Sequence, residues 1–580
     1  MITKKPVNSK TTAKKQTARK PAAAKKPSAK SSTAKKQTAR KPAAKTTAAK
    51  KPAAKAAAAK KPALTRPAGQ KNGDSSNRFN LIDEPWVPVT DKGPVSLRQI
   101  FTDSGIRSLG NSGVSKIALI KFLIAICQAA YTPRDKDDWL ALGAAGLAKK
   151  TREYLETHYE NFFLYGKRPV LQIPAAAAAA WQPLGAVQPD IATGNTTVLT
   201  ESQQERGLTD AEKAVLVVQL MGFALGGKKT DNSVVFSPGY QEKRTEKGKP
   251  STGNPGSSIG FQGYLHNFLT GANLQETLWL NVLSLEDIEG LGVFTQGLGP
   301  IPWETPPKGE DDSTAKALKY SLMGRLVPFS RFVLLGGGGL HYSEGILHPN
   351  YKDGMIDPSM AMLASGKKNK VLWADPFKRP WRSLSSLLGF LLAGEGYFDC
   401  PYIRIGMNRI STSRILKKLS VVGIWSAGLR VSSKAGEQYV SGADDYVESE
   451  TLLESACLSE NLYINLKKEM NFLEELSSIL YRSVLNYHKE LKADGGLFAR
   501  QAQELYWQLC EEKFQDLVKA CGKETDIETR EFRPQFLYNV RTSYNAFCPQ
   551  KTARQTDAWA KAYPNMARLA ALGEAGQKAP

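Results

Sequence analysis

The 580-residue chain carries 79 Lys or Arg against 55 Asp or Glu, a formal net charge of +24. Its first 73 residues hold 22 of the basic residues and no acidic one, leaving 57 basic against 55 acidic for the rest. The excess charge belongs to one end, which excludes a uniformly basic nucleic-acid-binding body.

That end repeats itself. Thr12–Ala23 reads TAKKQTARKPAA, and Thr33–Ala44 reads the same, an offset of 21 residues. Residues 1–76 have almost no apolar side chain larger than alanine, so they cannot bury enough surface to offset chain entropy, and they read as disordered. Recurrent prolines interrupt any helix that the alanines favour. Composition is similar to the lysine-, alanine- and proline-rich tails of histone-like proteins, which neutralise phosphates without reading sequence. The other reading is a solubilising extension. The apolar core of a secretory signal is missing, so the expected location is cytoplasmic.

Roughly 500 residues follow, enough for two or three domains. From 77 to 450 the pattern is mixed, and an α+β domain is expected. Helical segments are predicted near 114–131 and 211–221, β-like runs such as FSRFVLL occur, and Gly/Pro turns are frequent. The longest apolar run, Ile117–Tyr131, contains Lys121 and is too short to span a bilayer, so it predicts a buried helix. The polar stretch 239–260 predicts a loop, and LLGGGGL at Leu334–Leu340 a turn.

From 451 to 580 helical periodicity dominates. One face is Leu466, Met470, Leu473, Leu476, Leu480, Val484 and Tyr487. A second begins with Phe498, Ala502, Leu505 and Leu509. A third is Phe532, Phe536, Val540, Tyr544 and Phe547. Trp559, Ala562, Met566 and Leu569 suggest a fourth, bent at Pro564. Short connections between four such segments predict an antiparallel four-helix bundle.

Tests for catalysis return little. None of the five histidines lies in an HExxH or His-Asp pair, and no GxSxG occurs. The six cysteines are scattered without a CxxC pair, which suits reduced thiols and excludes a zinc knuckle. GFALGGKKT at Gly222–Thr230 nearly satisfies a P-loop, and the preceding VLVVQLM could be a strand. Lys229, however, stands where a hydroxyl should hold magnesium. Neither a catalytic constellation nor a cofactor is expected, and the chain does not read as an enzyme.

Four further segments occur in order: FNLIDEPWVPV (Phe79–Val89), VQPDIATGNTTVLT (Val187–Thr200), FALGGKK (Phe223–Lys229) and GLRVSSKAGEQYVSGADDYVESE (Gly428–Glu450). With LFARQAQELYW (Leu497–Trp507), they resemble the CasA family, the large subunits of type I-E CRISPR Cascade complexes. The resemblance runs from Phe79 to the end and leaves the tail outside. It implies a subunit that inspects duplex DNA from the minor groove for a protospacer-adjacent motif, while a guide RNA reads the target. It further implies strand separation beside the motif and recruitment of a separate helicase–nuclease. Partners would be the other Cascade subunits, guide RNA, target DNA and that effector.

By the same resemblance Gly226, Gly227 and Lys228 match the glycine loop, and Lys352 is the candidate motif-reading lysine. Val431–Gln438 matches the strand-separating wedge, with Gln438 and Lys434 as its polar residues. Asn195 and Leu199 lie on the loop expected to meet the guide-RNA end or an adjacent subunit. Thr200 and Glu201 depart from the family's expected continuation there. No metal site is expected. A histone-like nucleoid protein, motivated by the tail, is the runner-up; a P-loop enzyme is the third reading.

Overall fold

The computed structural model describes residues 77–110, 113–187, 207–224, 234, 236, 263–363, 370–392, 397–413, 421–430, 446–523 and 527–575. The chain divides into two units, Met1–Thr65 and Arg66–Pro580. The first lies wholly outside the described residues, as does the rest of the tail to residue 76.

Helix and strand alternate up to Glu454, as the mixed pattern predicts, and everything described after Ser459 is helical or connecting. Near the start, β1 (Arg78–Asn80) precedes a hairpin of β2 (Val87–Val89) and β3 (Gly93–Val95). The indole of Trp86, 1% exposed, closes this segment by donating to the Leu81 carbonyl at 2.9 Å. A short helix, α1 (Leu97–Thr102), starts on a capping box: Ser96 Oγ accepts from Gln99 N, and Gln99 Oε1 accepts from Ser96 N.

The predicted buried helix is α2 (Val114–Ala130), apolar around most of its circumference and therefore enclosed on all sides. It is packed by α3 (Lys136–Thr157), α4 (Asp210–Gly222), the helix Leu274–Leu280 and the strand Val421–Leu429. Its one buried charge, Lys121, is 3% exposed and is ion-paired with Asp357. A lone buried ammonium is costly, so this pair is a condition of the helix lying where it does. Thr209 and Glu212 form the capping box that starts α4. VLVVQLM thus lies inside a helix. A P-loop needs a strand there, so that part of the near-match fails.

After α3, β4 (Phe163–Tyr165) returns to pair with β1. The later strands are β5 (Trp181–Pro183), β6 (His266–Thr270), β7 (Arg331–Gly336), β8 (Gly339–Glu344), β9 (Met362–Leu363), β10 (Phe398–Asp399), β11 (Val421–Leu429) and β12 (Tyr446–Glu454). They form sheets of order β5-β8-β7, β9-β10 and β12-β11-β6, all antiparallel. The LLGGGGL run is the β7–β8 hairpin. Gly337 and Gly338 form its two-residue turn with φ of 62° and 78°, a conformation that favours glycine.

The C-terminal periodicity becomes helices Glu460–Glu490, Gly496–Cys521 and Arg533–Phe547, which pack on one another. The first and third bury the expected faces. In the second the buried face is Ala499, Ala502, Tyr506, Cys510, Phe514, Leu517 and Cys521, turned by about one residue from the expected one. Tyr506 and Trp507 carry more apolar surface than Leu505 and Leu509, and the helix turns to bury them. Phe498 is left 42% exposed, stacked on His488 at 4.6 Å. The fourth segment is two helices, Ala553–Ala562 and Met566–Ala575, separated where Pro564 cannot continue the first. Arg533 clamps Glu469, which is fully buried, through both carboxylate oxygens at 2.6 and 3.3 Å. One apolar cluster continues from Leu81 through α2 and β11 to Leu569.

Candidate nucleic-acid interface

The β12-β11-β6 sheet builds the site at one end. Ala427 of β11 faces His266 of β6, and Leu429 faces Tyr446 of β12. The end of β11, the start of β12 and the approach to β6 therefore lie side by side. Gly428 makes this closeness possible: a Cβ there would stand 2.8 Å from both the Tyr264 carbonyl oxygen and Ala374 Cβ. Beyond β6 the chain 372–374 adds on, with Leu265 N donating to Leu372 O at 2.8 Å and Ala374 N to Gly263 O at 2.9 Å.

Other elements close on the same end. Phe223, at the C-terminus of α4, sets its ring 5.6 Å from His266. Tyr351 and Trp373 meet Tyr264 at 6.5 and 6.2 Å, and each other at 5.9 Å. Lys352 follows Tyr351 on a one-turn 3₁₀ helix capped by Asn350, whose side-chain oxygen accepts from Lys352 N at 2.8 Å. The Lys352 ammonium is exposed, 5.8 Å from the Tyr351 ring.

Beneath these aromatics is a buried polar network. Asp357 accepts from Ser359 N at 3.0 Å and Ser359 Oγ at 2.7 Å, and pairs with Lys121. His266 Nδ1 lies 2.8 Å from Ser359 Oγ. Burial alone would raise the Asp357 carboxyl; Lys121, then His266, and the Ser359 hydrogen bond outweigh it and bring it to about 2. Behind the 351–353 turn, buried Arg325 donates to the carbonyls of Pro349 and Lys319, both at 3.0 Å. Buried His348 holds the Pro328 carbonyl at 2.6 Å. Desolvation, and after it the Arg325 guanidinium, holds His348 well below the usual histidine value. The turn that presents Lys352 is thus pinned from below.

The family model for CRISPR-associated protein Cse1 matches residues 80–569. The chain belongs to the CRISPR-associated protein Cse1 family. A curated member, CasA/Cse1 of Thermus thermophilus, is 27% identical over 339 residues, 54% of this chain and 61% of that protein. The chain thus spans less than two thirds of that relative's length. The crystal structure of Thermus thermophilus CasA superposes with a TM-score of 0.64 at 21% identity, covering 85% of this chain and all of that one. A chain from a structure described as a CRISPR RNA-guided surveillance complex gives 0.61 at 16% identity, covering 85% and 99%. These structures establish a shared Cse1 fold, and the CasA resemblance carried by the sequence is shown.

Of the Cse1-type site residues expected from sequence, Lys352 is the one within the described residues. Gly226, Gly227, Lys228, Lys434, Gln438, Asn195 and Leu199 all lie outside them. Their flanks are described. Phe223 and Ala224 lead to the glycine loop; Leu429 and Tyr446, paired across β11 and β12, bracket the wedge. The flanks of these two segments and the Lys352 turn are brought to the same end of the sheet. After the Asn195–Leu199 segment the described chain resumes at Gly207, just before Thr209, which caps the other end of α4, about 20 Å from Phe223 at 1.5 Å per residue.

Sequence reasoning missed two residues at this end of the sheet. Trp373 is 47% exposed and Phe377 61% exposed, with the Arg430 guanidinium 5.6 Å from the Phe377 ring. The signal was the interleaving of aromatic and basic residues in LWADPFKRPW, Leu372–Trp381. Among the described residues no group of three or more His, Cys, Asp or Glu could hold a metal ion. No described helix is long and apolar enough to cross a membrane.

Proposed function

We propose that the chain is the large subunit of a type I-E RNA-guided surveillance complex. It inspects duplex DNA for a protospacer-adjacent motif, starts strand separation there and recruits a separate helicase–nuclease. It performs no chemistry itself and works in the cytoplasm. Residues 77–450 serve motif recognition, and 451–580, read as an antiparallel helical bundle, supply a rigid support. The observation that carries this reading is the convergence of the glycine-loop flank, the wedge flanks and Lys352 at one end of the β12-β11-β6 sheet. A backbone loop, a wedge and a lysine acting on one short stretch of duplex must share one place. Membership in the Cse1 family and the likeness to a chain of an RNA-guided surveillance complex support it.

In this reading Gly226 and Gly227 let the backbone approach the minor groove, with Lys228 and Lys352 beside it. Lys434 and Gln438 hold the parted strands, and Asn195 and Leu199 face the guide RNA or a neighbouring subunit. The basic tail tethers the complex to phosphates and adds no base-edge geometry. A reconstituted complex tests the proposal on two motif-bearing targets, one fully paired and one with a pre-opened bubble. Lys434→Ala with Gln438→Ala should weaken R-loop formation on the paired target by roughly tenfold or more and largely spare the bubble, since unpairing costs a few kcal/mol. Equal losses on both targets would remove strand separation from the reading.

A further inference from the structure

Trp373 has the geometry of a platform. Its backbone is fixed to the approach of β6 by the Leu265–Leu372 and Ala374–Gly263 hydrogen bonds, and it forms an antiparallel bridge with Tyr264. Tyr264 meets its indole at an interplanar angle of 45°, Tyr351 at 80°, and the two tyrosines contact each other. The two tyrosine rings, in contact with each other, brace the indole. Among the described residues none of them lies parallel over it, and 47% of Trp373 stays open to solvent. A braced, half-open indole offers a flat apolar face on which another ring can stack.

The neighbourhood says what would cover it. Asp375 turns the chain just beyond, its Oδ1 accepting from Phe377 N at 3.1 Å and its carbonyl from Lys378 N at 2.9 Å. Phe377, with Arg430 beside it, is thereby presented next to the indole's loop. Lys352, Lys370 and Lys378 are exposed, and Arg430 is half-buried. The acidic side chains in these turns, Asp353 and Asp375, already accept from the backbone of Asn350 and Phe377. Aromatic faces alternating with cations suit an unpaired nucleotide: the ring takes the base, the cations the flanking phosphates. Lys352, Lys370, Lys378 and Arg430 outnumber Asp353 and Asp375 here, which favours an anionic partner, and the open ring face favours one that carries a base.

We propose that Trp373 is a stacking platform for an unpaired base of the target DNA, the base released beside the motif when the strands part. This rests on the function proposed above and extends it. Opening a duplex must be held against re-pairing, and a stacked base is withheld from its complement. Every base has a π-face, so the platform serves any target sequence while the motif is read elsewhere.

The test uses the reconstituted complex and paired targets carrying 2-aminopurine at successive positions beside the motif, in either strand, with matching probes at the guide-RNA end. In the wild-type complex one DNA position should stay quenched after opening. In Trp373→Ala that position should brighten, and opening should slow by roughly fivefold or more, fivefold being the low end of base–aromatic stacking. Trp373→Phe should recover most of both. If Trp373→Ala fails to assemble, Trp373→Leu fills the space without a π-face and gives the same comparison. The proposal is overturned if no DNA position responds, if a guide-RNA position responds instead, or if opening stays within twofold of wild type. A wild-type complex that never opens a motif-bearing target overturns the functional reading and the platform with it. One that opens normally while the probes ignore Trp373 removes the platform alone.

Discussion

The C-terminal helices and the sheet end around Tyr264 are built to opposite ends. The helices bury most of their aromatics, with Phe514 packed 4.3 Å from Trp381 and Tyr506, Tyr544 and Tyr487 fully enclosed; they leave Phe498 and Tyr538 exposed and join helix to helix through the Arg533–Glu469 clamp. The sheet end buries its polar network and leaves aromatics and cations outside: Trp373, Phe377 and Lys352. In the first region a side chain that is removed costs stability. In the second, on the function proposed above, it should cost binding.

The sharpest way to break this contrast is Arg533→Ala, which leaves Glu469 buried without its charge partner and should cost about 3–5 kcal/mol. Denaturant unfolding measures that loss, and Arg533→Met with Glu469→Leu should return most of it. At a temperature where Arg533→Ala is still folded, motif-dependent DNA binding should be close to wild type. A selective binding defect there would place the helices in the interface.

Next comes Gly428→Val, which drives a side chain into Ala374 and the Tyr264 carbonyl. Overpacking of this kind costs about 1–3 kcal/mol. Because it pushes the β6 approach away from β11, R-loop formation should fall by more than the stability change explains. A variant whose binding tracks its stability would show that the alignment of these strands is not required.

Acid weakens the buried groups behind the Lys352 turn more gently. His348 is held neutral in the fold, so only the unfolded chain takes up its proton as pH falls below about 6.5. Its contribution is complete above that value and is lost progressively below it, by at most about 1.4 kcal/mol per pH unit. The Asp357 carboxyl, at about 2, supports the fold until pH drops below about 4, and that support fades toward 2. Melting temperatures between pH 7 and 5 should therefore fall less steeply in His348→Gln than in wild type. Parallel slopes would contradict the neutral histidine.

The smallest structural effect belongs to the tail. Deleting residues 2–73 should leave the melting temperature unchanged. It removes 22 basic residues, and each phosphate that is no longer neutralised lowers the salt slope of binding by about 0.9. Non-target affinity should fall while motif preference at fixed salt is kept. An unchanged slope would make the tail a passive extension.

Sequence periodicity is enough for the faces of Glu460–Glu490 and Arg533–Phe547, for the break at Pro564 and for the burial of α2, because a 3.6-residue repeat and a proline act locally. The family resemblance is equally legible, since its segments are contiguous words in the chain. The face of Gly496–Cys521 differs by one residue from its periodicity, because packing against two neighbouring helices chose Tyr506 and Trp507 over the leucines beside them. Only the tertiary structure paired Lys121 with Asp357, 236 residues apart, or set Trp373 against Tyr264 and Tyr351. Such pairings depend on strand register and on which faces of remote segments meet, and no local pattern in a sequence encodes that.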